Sequence, residues 1–159
     1  MQPFTHTLVA RPLRESGAVQ RLYRSDAGEA VVIVDVDQFA AIRSLHGAEA
    51  GEQVTRAVAE TLRRRLRSND RLALLRDDEF LAVLSRVPPE ALPRIIERLR
   101  GGVEGLRLAL AGRIWLLSCS IGSAATPRGL RVCGLEGLVR EADAELHRLR
   151  RAGLVTDAR

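Results

Sequence analysis

The 159-residue chain has the length of one ordinary domain, and 46% hydrophobic with 28% charged residues gives it a real core and argues against disorder. No apolar run reaches the roughly 18 residues that cross a bilayer. The N-terminus has no secretory pattern, and Cys119 and Cys133 make neither a disulfide framework nor a zinc site, so a reducing, cytoplasmic setting is expected. The net charge of +5 comes from 25 arginines and no lysine. Those arginines are interleaved with 20 acids, and aromatics are only 3%, so neither a specific nucleic acid nor a membrane is expected as partner.

No repeat or linker divides the chain. Residues 1–25 are weakly patterned. Ala30-Val31-Val32-Ile33-Val34 is largely β-branched and predicts a buried central strand that ends in Asp35 and Asp37. Val54, Val58, Leu62 and Leu66 recur every four residues, which predicts an amphipathic helix over 49–67. Leu72 to Leu75 and Phe80 to Leu84 flank the polar tip Arg76-Asp77-Asp78-Glu79 and read as a hairpin. Pro88-Pro89 opens a second helix, expected to stop at Gly101-Gly102. A further hairpin is expected from Leu108–Leu110 and Arg113–Ile121, turning at Ala111-Gly112. A last helix over 135–152 follows, with Gly153 beyond it as cap. The order β-α-β-β-α-β-β-α predicts an α+β fold, ferredoxin-like in style, with an antiparallel-rich sheet flanked by helices.

If the strands are neighbours, Asp35 and Asp37 converge with Asp78 and Glu79 at one sheet end. Hard oxygen ligands there suit Mg²⁺ and phosphoryl chemistry. The alternative is that they are solvated turn acids.

The motifs carry a resemblance. Val34-Asp35-Val36-Asp37-Gln38-Phe39, then Asp70 to Phe80 with Arg76-Asp77-Asp78-Glu79-Phe80, resembles the GGDEF family of diguanylate cyclases. Gly47 and Gly51 fit its loop between two early helices. Ser120-Ile121-Gly122 fits its Ser-Ile-Gly strand, and Ala142 to His147 its last-helix motif. The resemblance covers about residues 30–154. It implies a GGDEF-like domain over 26–159 with the nucleotidyl-cyclase palm fold, preceded by a degenerate segment 1–25. It also implies condensation of two GTP into cyclic di-GMP by a dimer. Asp35 and Asp78 would then be the metal ligands, with Glu79 beside them as the candidate catalytic acid.

The substrate positions depart from the family pattern. Arg76 and Asp77 replace the two signature glycines, which let a nucleotide lie on the backbone. Arg43 stands for the guanine-reading asparagine, Glu52 for its aspartate and Arg150 for the phosphate-binding lysine. Leu154 replaces an arginine, and the N-terminal motif is reduced to Arg11-Pro12-Leu13-Arg14-Glu15-Ser16. A degenerate, inactive cyclase is the expectation, with no required cofactor and Mg²⁺ only if GTP binds.

A second site is kept. Arg67-Ser68-Asn69-Asp70 stands in the register of the family's Arg-x-x-Asp inhibitory motif. A second Arg-x-x-Asp at Arg140 to Asp143 shows that the motif alone means little and that register carries the point. Arg98 matches the arginine that completes that site. Arginine can grip guanine or phosphate in two-pronged fashion, whereas a local ion pair is the structural alternative. Three functions are therefore weighed: a cyclic di-GMP receptor using Arg67, Asp70 and Arg98 that acts by contact with a protein partner; a divergent cyclase; and a ligand-free interaction domain. A homodimer, bridged by ligand, is among the expected assemblies.

Overall fold

A computed structural model describes residues 29–126 and 134–152. The expectations for Arg11 to Ser16, Cys133, Gly153 and Leu154 lie outside the described residues. Glu29–Val36 forms strand β1, and helix α1 spans Phe39–Arg65. Arg71–Arg76 and Glu79–Ser85 are β2 and β3. A single 3₁₀ turn, Pro89–Ala91, leads into α2 at Leu92–Glu104. Strands β4 (Arg107–Leu110), β5 (Arg113–Leu116) and β6 (Cys119–Ala125) precede α3 at Leu135–Arg151.

The main sheet has the order β2-β3-β1-β6, with every pair antiparallel. With α1 after β1 and α2 after β3, this is the expected ferredoxin-like α+β arrangement. The β-branched run sits at its centre because both faces need apolar cover. Val32, Val34 and Val36 pack with Val54, Val58 and Leu62 of α1 and with Ile95 and Leu99 of α2. Val31 and Ile33 pack on the other face with Leu138, Ala142 and Leu146 of α3. Helices thus cover both faces of β1, whose polar side chains stand only at its ends.

Four expectations are corrected. The first helix begins ten residues earlier than predicted, and its short opening arm is separated from the long one by Gly47 at φ 88° and ψ 175°. Glycine takes that backbone freely, so the break falls there. Gly51 is helical rather than looped, and the Phe39 ring packs over it, 3.3 Å from where a Cβ would stand. Gly101-Gly102 does not stop α2, which runs on to Glu104. Two glycines cost about 1 kcal/mol each in a helix, which the burial of Leu99 and Val103 offsets. The strand expected over 113–121 is two strands: among the described residues β5 pairs only with β4 as a separate ribbon, and Leu117-Ser118 carries the chain to β6.

Candidate functional site

Asp35 and Glu79 are cross-strand partners at the end of β1 and β3, each next to the hairpin tip. They are 7% and 8% exposed and share the sheet face that α3 covers. From α3, Arg150 places a guanidinium nitrogen on Asp35 Oδ1. Arg76 Nε lies 3.5 Å from Glu79 Oε2. Burial is the main force on the Asp35 carboxyl and raises it to about 7. Arg150 opposes that rise, and the charges of Asp78 and Glu79 add to it. Burial also raises Glu79, with Arg76 opposing and Asp143 and Asp78 adding. Perturbed, neighbouring acids of this kind mark functional-site candidates.

The other two acids are used differently. Asp37 accepts hydrogen bonds from Ser118 Oγ (2.7 Å) and Ser120 Oγ (2.6 Å), which ties β1 to the start of β6. The Asp78 backbone carbonyl accepts from the Val36 N–H at 2.9 Å. Convergence therefore holds for Asp35 and Glu79, with Asp78 at the edge, and not for Asp37. Among the described residues no three carboxylate, imidazole or thiol groups are arranged to hold a metal ion. A cationic side chain sits on Asp35, which Mg²⁺ would need, so the donor set as arranged does not fit the ion.

The signature turn makes its own contacts. Asp77-Asp78 joins β2 to β3 with neither residue at positive φ. The register shifts between Leu74 and Arg76, and the expected hairpin closes with no glycine at its tip. Arg43 Nη1 donates to Asp77 Oδ2 at 2.6 Å, and Thr55 Oγ1 donates to the Asp77 carbonyl at 2.6 Å. The side chains of Arg43 and Asp77 are therefore joined to each other. Along α3 an open groove of about 730 Å³ is lined by Asp143, His147, Arg150 and Arg151. Asp143 and His147 (3.6 Å apart) were not singled out from sequence as site residues. The signal was their spacing of seven and three residues from Arg150, one helical face.

At the second site, Arg67 and Asp70 share the tight turn after α1. Asp70 Oδ2 accepts from the Arg67 backbone N–H at 2.9 Å, and Oδ1 from the Ser85 N–H at 3.2 Å. Asp70 thus ties this turn to the end of β3 instead of pairing with the Arg67 guanidinium. Arg67 and Arg98 are exposed, and neither side chain has a hydrogen-bond or ion-pair partner among the described residues. Removing the Asp70 carboxylate orphans two amides, so Asp70→Ala is expected to lose about 1–2 kcal/mol of stability in a urea melt. Arg67→Ala should match the wild type in the same melt. Cys119 offers no nucleophile: it is buried, and burial pushes its thiol up to about 12.

The chain is thus an antiparallel α+β domain with paired acids where its central strand meets a hairpin tip. Residues 14–155 match the family described as "Diguanylate cyclase, GGDEF domain", and the chain belongs to that family. It is 31% identical to the diguanylate cyclase DgcP of Pseudomonas aeruginosa over 135 residues, 85% of this chain and 20% of DgcP. The chain thus spans about a fifth of that relative's length. Its structure is similar to the isolated GGDEF domain of TpbB (YfiN) from P. aeruginosa. That match has a TM-score of 0.74 and 27% identity, and covers 84% of this chain and 81% of that one. It is also similar in fold to the GGDEF domain of Caulobacter crescentus DgcB, solved in complex with c-di-GMP. Here the TM-score is 0.72 at 22% identity, over 86% and 80% of the two chains. No helix among the described residues is long and apolar enough to cross a membrane.

Proposed function

We propose that this domain is a degenerate cyclase, inactive in catalysis, that binds cyclic di-GMP and reports it through contact with another protein. The Arg43–Asp77 ion pair carries the reading, because it joins the two positions between which the family admits guanine and phosphate. An exposed pair of this kind is worth under about 1 kcal/mol. The obstacle to GTP is therefore the bulk and charge of the two side chains, more than the strength of the bond between them. Arg150 on Asp35 adds a second obstacle, standing where a metal would be needed. In favour of binding, the Arg67 and Arg98 guanidinium groups have no partner among the described residues, and Asp70 holds the turn that presents Arg67. Each Asp70 oxygen accepts one amide and retains a lone pair for a guanine edge. That DgcB was solved with c-di-GMP supports the choice of ligand.

Calorimetry tests this directly. Micromolar binding of cyclic di-GMP is expected, weakened roughly tenfold or more in Arg67→Ala through loss of charge-assisted hydrogen bonds. Absence of heat at high ligand concentration would remove the receptor reading and leave a ligand-free interaction domain. The buried Asp35–Glu79 pair favours a second reading, a divergent but active diguanylate cyclase, since such acids are costly to keep. Incubation with GTP and Mg²⁺ decides it: steady formation of cyclic di-GMP, lost in Glu79→Gln, would establish the enzyme.

A further inference from the structure

Two glycines stand side by side in α2, and only one of them has a side chain over it. Nothing lies within 4 Å of a Cβ at Gly101, whereas a Cβ at Gly102 would fall on the Arg65 side chain, 3.1 Å from its Cζ and nearer still to its Nε. Gly102 is buried. Arg65, the last residue of α1, thus lies across the bare backbone of α2, its stem covering the helix and its guanidinium held beside it. One helical turn back on the same face of α2 stands Arg98. Arg65 and Arg98 are exposed, and neither side chain has a hydrogen-bond or ion-pair partner among the described residues. Glu97, the acid next to Arg98, faces Arg100 instead, with Arg100 Nε 3.5 Å from its Oε1. The carbonyl end of α2 attracts Arg65 in its last turn but leaves Arg98, further inside the helix, without that help. Two like charges are therefore set near each other with no acid between them, an arrangement that an incoming anion would relieve.

We propose that Arg65 is a third arginine of the ligand site, and that position 102 is glycine so that Arg65 can lie near Arg98 and form with it a clamp for a phosphodiester group. This inference rests on the reading of the domain as a cyclic di-GMP receptor and gives that site a division of labour. Arg67 and Asp70 lie together in the turn after α1. Between them they meet both kinds of guanine edge, Arg67 donating to its acceptors and Asp70 accepting from its N–H groups. A phosphodiester offers acceptors alone and carries a negative charge. It calls for guanidinium groups without a carboxylate beside them, which is what Arg65 and Arg98 supply. Only Leu66 separates Arg65 from Arg67, so a ligand gripped by its base at Arg67 has its phosphate within reach of the clamp. Gly102 acts by leaving room: any side chain there would push Arg65 off the helix and away from Arg98.

Calorimetry of the full chain with cyclic di-GMP at two salt concentrations, with urea melts alongside, tests the clamp. Arg65→Ala should bind about tenfold more weakly, with a flatter salt dependence and an unchanged melt. Gly102→Ala is the sharper variant, because it removes no charged group. Its Cβ displaces Arg65, so affinity should fall by a similar factor while the better helix former leaves the fold no less stable. In the double variant the two losses should not add, since both remove one contact. Arg65→Lys should recover only part of the affinity, having the charge without the two-pronged donor. Wild-type binding that Arg65→Ala leaves intact would overturn the clamp and keep the receptor. Additive losses in the double variant would overturn the part given to Gly102. If Arg65→Ala lowers the melt and spares the affinity, Arg65 is a counter-charge to the end of α2 and no ligand group. Absence of binding by the wild type would remove the receptor reading and the clamp together.

Discussion

Gly122→Ala is expected to lose about 3 kcal/mol or more of stability, a large share of the 5–15 kcal/mol available to a domain. Gly122 lies on β6 across from Ile33, beneath α3. A Cβ there would stand 2.7 Å from both the Leu146 Cβ and its backbone nitrogen, and closer still to the Ala142 carbonyl oxygen. Two of these three atoms are helix backbone, which cannot rotate aside. The helix must retreat as a unit, and Leu138, Ala142 and Leu146 would lose contact with Val31 and Ile33. A close-packed core has no slack to absorb that movement. The same change at Gly101 should act in the opposite direction. Nothing lies within 4 Å of a Cβ at that position. Alanine inside α2 should therefore stabilise by about 0.5–1 kcal/mol, through helix propensity and a less free unfolded chain. Urea melts of both variants make the comparison, and a Gly122→Ala midpoint within 1 kcal/mol of wild type would refute the close-approach account.

How much of this was legible in the sequence follows from the range of the forces involved. The Val31 to Val34 run and the four-residue spacing of Val54, Val58 and Leu62 are local patterns created by burial, and the structure buries all of them. The opening arm of α1 was hidden because it holds only two buried positions, Phe39 and Ile42, before Gly47 breaks it. The splitting of β5 from β6 depends on which strand each finds as a neighbour, and no local pattern states that. The site divides in the same way. That Asp35 and Glu79 meet could be read from acids at the ends of adjoining strands. Arg43 and Asp77 are 34 positions apart, and each looks like an ordinary surface charge until α1 folds over the hairpin. The contacts of Asp70 within the fold were hidden for a related reason. Its partners are backbone amides, which every residue carries, so side-chain identity gives no sign of them.

Asp35→Asn is expected to stabilise the domain at pH 8 and to leave it nearly unchanged at pH 4. The sign follows from the folded carboxyl standing at about 7, above its ordinary 3.8. The folded state holds the proton more tightly than the unfolded chain, so ionisation works against the fold. This contribution to stability is present below about pH 4, declines as pH rises to about 7, and is fully lost above that. At 1.36 kcal/mol per pH unit of separation the upper bound is about 4 kcal/mol, and partial solvation of the sheet end should leave about 2–3. Asparagine keeps the shape, removes the charge and so removes this carboxyl's share of the pH dependence. Arg150 loses its partner but is partly exposed, and water can take up its charge. Glu79 is raised for the same reason and should add its own slope to both proteins. Thermal melts from pH 4 to 8 test this: the two curves should meet at the acid end and separate by several degrees at the basic end. An Asp35→Asn protein less stable than wild type at pH 8 would mean that the Arg150 ion pair outweighs the burial of the charge. Repeating the melts with millimolar Mg²⁺ separates the two functional readings. A rise in the wild-type melting temperature at pH 8, absent in Asp35→Asn, would place a cation on this carboxylate and favour the cyclase. Identical curves with and without the ion are the outcome expected for a site whose positive charge is Arg150.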